Sequence, residues 1–114
     1  MIQEETDNYI RICMKTWLLC ESCINHEISS DSPRQRLVQK CNDCGKSCFA
    51  LVAKLVSKEY VIDLDDAVFD CLLYCRQCAM ECEKYSDEED IRLCGDVCEL
   101  CGDALKELTI FSLN

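Results

Sequence analysis

Thirteen of the 114 residues are cysteine, and their spacing carries the clearest chemical signal in the sequence. Within four segments, successive cysteines are three, four or seven residues apart. These steps return a side chain to the same face of an α-helix. The sequence therefore predicts four helices, each with a stripe of thiols along one face. The four sets are Cys13, Cys20 and Cys23; Cys41, Cys44 and Cys48; Cys71, Cys75, Cys78 and Cys82; and Cys94, Cys98 and Cys101.

The thiols are expected to be reduced and to bind metal. The segment from Met1 to Asp7 is acidic and carries neither the basic and apolar parts of a signal peptide nor a twin arginine. We therefore expect a cytosolic protein, in which disulfides are rare. An odd number of cysteines also excludes a complete set of intrachain disulfides. A reduced chain so rich in cysteine points to metal binding.

Short connections are predicted between the four helices, and no stretch alternates with the two-residue period of a strand. Ser32 and Pro33 are expected to start the second helix, Asp63 to cap the third, and Ser86 with Glu89 to form a capping box on the fourth. Short connections make sequential helices antiparallel neighbours. We predict a single all-α domain, an antiparallel up-down-up-down four-helix bundle with a cysteine-lined core and helices at about 5–27, 33–60, 64–84 and 87–110.

All four stripes are expected to meet at one end of this bundle. They lie late in the first and third helices and early in the second and fourth, and an antiparallel arrangement superimposes these parts. At a rise of about 1.5 Å per residue the sulfurs form a column roughly 15 Å long, and we expect metal to enter at the cysteine end. Counting inward from that end matches Cys23 with Cys82, then Cys20 with Cys41 and Cys78, then Cys44 with Cys75 and Cys98, and finally Cys13 with Cys48 and Cys71.

The opposite half of the bundle is expected to be hydrocarbon, because the stripes continue there with aliphatic residues. Close helix approach is expected at Gly95 and Gly102, which lie seven residues apart on one face. The aliphatic continuation consists of Leu51, Val52 and Leu55 in the second helix, Leu64 and Val68 in the third, and Leu105 and Leu108 in the fourth.

Cu(I) is the metal that this column fits best. It is soft, it prefers thiolate, and two thiols one helical turn apart can hold one ion. One Cu(I) per thiolate leaves the core neutral, whereas a Zn²⁺ held by four thiolates leaves two negative charges in a medium of low dielectric. A zinc or mixed-metal thiolate buffer of the metallothionein kind is the alternative. A thiol redox protein and an iron–sulfur protein are further alternatives, although no ferredoxin-type cysteine run is present.

The net charge of −10 argues against several other functions. Proteins that bind nucleic acids or anionic membrane surfaces need basic patches. The sequence also contains no run of eighteen apolar residues, which a membrane-spanning helix would need. The single histidine, His26, lies off the thiol stripe, and no glycine-rich phosphate loop is present. We therefore predict a binding protein and not an enzyme.

The segment that reads CLLYCRQCAMEC, followed by a short turn and CGDVCELC, resembles the four-helix-bundle copper storage proteins. The resemblance covers nearly the whole chain. It implies a cytosolic protein in which all thirteen cysteines bind Cu(I), with many ions per chain. It also implies a homo-oligomer, often a tetramer, and makes a copper chaperone a candidate partner. Members of this family often place histidine and methionine at the open mouth; here only His26 lies near it, and Met14 and Met80 project off the stripes.

Overall fold

The computed structural model describes residues 3–57 and 63–113, which form four α-helices and no strand. Each helix packs against two neighbours: α1 and α3 both contact α2 and α4. The predicted all-α four-helix bundle is confirmed. No helix in the described residues is both long and apolar enough to cross a membrane. The helices are α1 Gln3–Ile28, α2 Gln35–Val56, α3 Leu64–Glu83 and α4 Glu89–Leu113.

Polar contacts between α2 and α3 confirm that these helices are antiparallel. Arg36 Nε donates to Glu81 at 2.9 Å, and Lys40 Nζ donates to Gln77 at 3.1 Å. As the residue number rises by four in α2, the number of the partner residue in α3 therefore falls by four. The α2–α3 connection is also tied by Lys54, whose Nζ lies 3.0 Å from a carboxylate oxygen of Asp63.

The predicted start of α2 is wrong. The helix begins at Gln35, and its N-cap is Arg34, which makes no side-chain capping hydrogen bond. Ser32 and Pro33 therefore precede the helix. The reason lies in α1, because Glu27 Oε1 accepts a hydrogen bond from the Arg34 backbone amide at 2.9 Å. A carboxylate from the preceding helix thus binds an amide at this helix start.

The predicted capping box of α4 is also wrong. Ser86 lies in a turn, and the helix begins at Glu89. Backbone amides in this turn donate to carbonyl groups three residues earlier, for example Glu88 to Tyr85 at 3.0 Å. Asp63 does occupy the predicted N-cap of α3, but its side chain makes no capping hydrogen bond. α2 ends at Val56, and residues 58–60, which were also predicted to belong to it, lie outside the described part of the chain.

The hydrocarbon half of the core is confirmed. Leu51 and Leu105 are fully buried and Val68 nearly so, and the other four predicted residues, Val52, Leu55, Leu64 and Leu108, are partly buried against them. A second apolar layer was not predicted. Leu37, one turn before the first cysteine of α2, is fully buried, and Ile91, one turn before the first cysteine of α4, is 1% exposed. These two residues therefore add hydrocarbon to the core at the cysteine end of the bundle.

Gly95 confirms the close approach of α3 and α4. A Cβ atom added at this position would lie 2.8 Å from Cys82 Cβ, which is closer than such atoms come in proteins. At Gly102 an added Cβ would lie 3.2 Å from the guanidinium of Arg76. The absence of a side chain at Gly95 therefore sets the spacing of the two helices beside the sulfur column.

Candidate metal centre

All thirteen cysteines are free thiols that point into the core of the bundle. Cys23 is 5% exposed, Cys82 is 1% exposed, and the remaining eleven are fully buried. Helical periodicity produces this result, since steps of three, four and seven residues keep each stripe on the core-facing side. The predicted ligands therefore all lie in the core, but only ten of them belong to the compact sulfur groups described below; Cys23, Cys82 and Cys101 belong to none.

Sulfur contacts between α2 and α3 follow the predicted depths. As the residue number rises by three and then four in α2, the partner's number falls by the same steps in α3. The depth matching is therefore confirmed for this pair of helices. The Sγ–Sγ distances are 3.8 Å for Cys41 and Cys78, 3.7 Å for Cys44 and Cys75, and 3.5 Å for Cys48 and Cys71.

Sulfurs of α1 and α4 complete the column. Cys20 Sγ lies 3.9 Å from the sulfurs of both Cys94 and Cys98, and Cys13 Sγ lies 3.9 Å from that of Cys101. Counting residues inward from the cysteine end had assigned no partner to Cys94 or Cys101. Cys44 and Cys98, on α2 and α4, are 3.8 Å apart, so contacts also cross the middle of the bundle.

Four groups of sulfurs are compact enough to bind a metal ion, with all Sγ atoms of a group within 4.8 Å of one another. Each group shares a member with the next. Cys20 and Cys78 belong to both four-sulfur groups, Cys44 links these to a three-sulfur group, and Cys48 links that group to the last. Ten of the thirteen thiols therefore form one continuous chain of overlapping sites. The groups are Cys20, Cys41, Cys78 and Cys94; Cys20, Cys44, Cys78 and Cys98; Cys44, Cys48 and Cys75; and Cys13, Cys48 and Cys71.

Crowding makes the ionisation of the thiols interdependent. Cys41 has the largest single effect on the pKa of Cys23 and lowers it, but the proximity of Cys94 and burial together raise this pKa to about 12. The effect is opposite at Cys44, where the neighbouring thiols Cys20 and Cys48 lower the pKa. Neighbouring thiols therefore cannot all ionise in an empty core. A cation that replaces each proton removes this repulsion.

A cluster of charged and aromatic side chains covers the cysteine end, and we call it the end latch: Glu27, Arg34, Tyr85 and Glu88. The Glu27 side chain is 2% exposed and accepts hydrogen bonds from Arg34 Nε and Nη2, both at 2.8 Å. Arg34 also pairs with Glu88, and its guanidinium lies 4.4 Å from the centre of the Tyr85 ring. These hydrogen bonds lower the pKa of Glu27. The latch ties the α1–α2 and α3–α4 connections together.

Two buried residues at this centre were missed by sequence reasoning. Thr16 is fully buried on the cysteine face of α1, and its hydroxyl donates to the carbonyl of Ile12 at 2.7 Å. The sequence did contain a signal for the burial of Thr16, namely its position three residues after Cys13. Glu81 is 4% exposed and pairs with Arg36 and Lys84 at 2.9 and 3.0 Å. The signal for Glu81 was weaker, because a carboxylate beside a cysteine is usually exposed.

The remaining candidates lie outside the column. His26 is exposed, and Met80 is 69% exposed on the outer face of α3. Met14 is half-buried on α1. Both methionines therefore project off the stripes, as predicted.

Comparison with known proteins agrees with this geometry. Searches of curated protein sequences and of solved structures gave no significant match. The family model described as copper storage protein matches residues 2–110, nearly the whole chain. A bundle whose core is a continuous chain of thiols is suited to holding copper. The chain therefore belongs to the copper storage protein family.

Proposed function

We propose that the protein stores copper as Cu(I), with many ions per chain and all thirteen cysteines as ligands. The observation that carries this proposal is the sharing of sulfurs between successive groups, from Cys94 at one end to Cys13 at the other. A thiolate that belongs to two groups can bridge two ions. A continuous column of bridging thiolates accommodates a multinuclear cluster better than one isolated ion.

The sulfur spacing supports low coordination numbers. Sγ–Sγ contacts of 3.5–4.0 Å connect helices in pairs, and two of the four groups contain only three sulfurs. Such sets match the preference of Cu(I) for a few soft ligands. Because each Cu(I) carries one charge, a ratio near one ion per thiolate keeps the buried core neutral.

A zinc buffer is the second candidate, and the two four-sulfur groups favour it. Each could supply four thiolates to one Zn²⁺. However, both groups need Cys20 and Cys78, so two separate closed tetrahedra cannot form side by side. Zinc would also leave excess negative charge in the core. The sharing of sulfurs therefore favours Cu(I).

Storage is also favoured over thiol redox chemistry. A reactive cysteine needs solvent access, and none of the thirteen is more than 5% exposed. We extend the proposal to a cytoplasmic protein with no catalytic role, supplied by a copper chaperone and assembled as a homo-oligomer such as a tetramer. Apolar side chains with about half their surface in water, such as Phe49 and Phe69 at 53% and 52%, support self-association.

An anaerobic titration of the reduced, metal-free protein with Cu(I) tests the proposal, with a chromophoric Cu(I) chelator present to report free metal. We expect the chelator to stay unbound until about ten or more equivalents have been added. A response after one or two equivalents would contradict storage. A parallel titration of the zinc-loaded protein should show Cu(I) displacing Zn²⁺.

Substitution of a linking sulfur should lower the capacity. Cys44 belongs to two of the four groups, so Cys44→Ala is expected to reduce the number of tightly held ions. Ser47→Ala is the matched control, because Ser47 lies one turn further along α2 and its hydroxyl only donates to the Cys44 carbonyl, at 2.8 Å. The control should retain the full capacity.

A further inference from the structure

Six sulfurs of the column form a set with a definite shape. Two of the compact groups contain four sulfurs each, and both groups contain Cys20 and Cys78. The unshared members are Cys41 and Cys94 in one group and Cys44 and Cys98 in the other. Two shared sulfurs with an unshared pair on either side are the ligand pattern of two metal ions bridged by two thiolates.

The helices place the shared and unshared sulfurs in crossed directions. Cys20 and Cys78 belong to α1 and α3, which lie on one diagonal of the bundle, because each of these helices packs against both α2 and α4. The unshared sulfurs all belong to α2 and α4, on the other diagonal. The line that joins the shared pair therefore crosses the lines that join the unshared pairs. Opposite edges of a tetrahedron cross in the same way.

The shared sulfurs also lie between the two unshared pairs along the bundle axis. In α4, Cys94 and Cys98 are one turn apart, and Cys20 Sγ lies 3.9 Å from the sulfurs of both. The two unshared sulfurs of α2 both lie within 4.8 Å of Cys78 Sγ. The helical rise separates the unshared pairs by about 4.5 Å in α2 and about 6 Å in α4. The six sulfurs thus outline two tetrahedra that share one edge.

The spacing of the sulfurs agrees with tetrahedral coordination of Zn²⁺ by thiolates. A Zn–S bond of about 2.3 Å gives a sulfur–sulfur edge of about 3.8 Å in a regular tetrahedron. Within the set, Cys20 Sγ is 3.9 Å from its two α4 neighbours, and the Cys41–Cys78 and Cys44–Cys98 contacts are both 3.8 Å. The empty core therefore already has nearly the dimensions that two such ions need.

Sharing of sulfurs also lowers the electrostatic cost of divalent ions. Two separate Zn²⁺ ions with four thiolates each would bury four excess negative charges, whereas two ions that share two of six thiolates bury only two. The sharing that excludes two separate tetrahedra therefore favours one bridged pair. The other two groups contain three sulfurs each, one ligand fewer than a closed zinc tetrahedron needs.

From this geometry we propose that, in the copper-free protein, these six sulfurs bind two Zn²⁺ ions as one binuclear cluster in which Cys20 and Cys78 are the bridging ligands. Formation of the cluster exchanges two Zn²⁺ ions for the protons of six thiols, which pass to solvent, and no atom is oxidised or reduced. Cu(I) competes for the same sulfurs, so the cluster adds a copper-free state to the proposed storage function.

The number of zinc ions and their bridging test the proposal. The reduced, metal-free protein is titrated anaerobically with Zn²⁺ in the presence of a chromophoric zinc chelator, and we expect two tightly held ions per chain. Bridging is tested with ¹¹³Cd²⁺, which binds thiolates in the same tetrahedral geometry. We expect two NMR resonances of equal intensity, each split by coupling to the other ion through the shared sulfurs. One tightly held ion, a third ion held as tightly as the first two, or two unsplit resonances would overturn the proposal.

Cysteine variants locate the two ions. Cys78→Ala removes a bridging thiolate and should reduce the zinc stoichiometry from two to at most one, with loss of the coupled resonances. Cys71→Ala is the matched control, because Cys71 is equally buried in the same helix but belongs to neither four-sulfur group. It should keep both zinc ions while its Cu(I) capacity falls. Two coupled ions in Cys78→Ala, or their loss in a folded Cys71→Ala, would contradict the assignment.

The wild-type measurements still decide if Cys78→Ala does not fold, because the stoichiometry and the coupling need no variant. The zinc cluster and copper storage can also fail separately. A wild-type protein that binds two coupled divalent ions but only one or two Cu(I) ions would refute storage alone. One that binds many Cu(I) ions but a single Zn²⁺ would refute the cluster alone.

Discussion

The empty protein should be held folded by its hydrocarbon half, and Leu105→Ala tests this directly. Leu105 is fully buried in α4, beyond the last cysteine of that helix. Truncating a buried leucine to alanine costs about 2–5 kcal/mol, from lost transfer energy and the cavity left behind. Whole domains are stable by only about 5–15 kcal/mol. A single substitution outside the column should therefore remove a large part of the stability of the empty bundle.

Urea unfolding of the reduced, metal-free protein measures this effect. With a slope of about 2 kcal/mol per molar urea, in the middle of the usual range, the midpoint should fall by roughly 1–2.5 M while the slope itself stays constant. Leu100→Ala is the matched control in the same helix, because Leu100 is 59% exposed. That variant should stay within about 0.5 kcal/mol of the wild type. In the copper-loaded protein both midpoints should be higher, because ligand binding to the native state adds stability.

The refuting result is equally clear. If Leu105→Ala destabilises the empty protein no more than Leu100→Ala does, the hydrocarbon half does not hold the bundle together. Metal would then be required for folding, as it is in small zinc domains, and a pre-formed column that waits for copper would have to be abandoned.

Two further predictions concern the latch and the missed position in α1. Hydrogen bonds from Arg34 lower the pKa of Glu27 below its unfolded value of about 4.3. The stability that this carboxylate contributes is therefore complete above about pH 5 and is lost as the pH falls below about 4. Glu27→Gln should cost the metal-free protein about 1–3 kcal/mol at pH 7, with the gap to the wild type closing in acid urea titrations; exposed Glu107→Gln should show no such gap. Thr16→Cys places a fourteenth thiol in the column and should raise the Cu(I) capacity by about one ion. Ser47→Cys, on the side of α2, should leave the capacity unchanged. An unaltered capacity in Thr16→Cys would show that this position does not reach the sulfurs.

The thiol column could be predicted from the sequence because it depends only on helical periodicity and short connections. Cys48 and Cys71 meet at 3.5 Å because each lies a similar number of residues from the same end of an antiparallel pair. The exact position of the connecting turn matters little, since an error of one or two residues moves a sulfur by only about 1.5–3 Å. A prediction that rests on helical periodicity therefore tolerates small errors in the position of a turn.

The end latch could not be predicted, because it depends on contacts between loops. Glu27 binds the amide of Arg34 and so takes the place of the predicted Ser32 cap. This contact requires the α1–α2 turn to bring the two residues together, and no local pattern specifies that turn. The burial of Ile91 likewise depends on the exact start of α4, which lies two residues later than predicted.

The contacts between sulfurs distant in sequence have a consequence for the life of the polypeptide. Cys13 and Cys101 meet at 3.9 Å although 88 residues separate them along the chain. A copper ion shared by these two thiolates would close nearly the whole chain into a ring. By analogy with a disulfide that closes a loop of about 100 residues, one such bridge lowers the conformational entropy of the unfolded state. This raises the free energy of unfolding by roughly 4–5 kcal/mol. A loaded chain would thus resist the unfolding that proteases need, and turnover of the polypeptide would follow the removal of its copper.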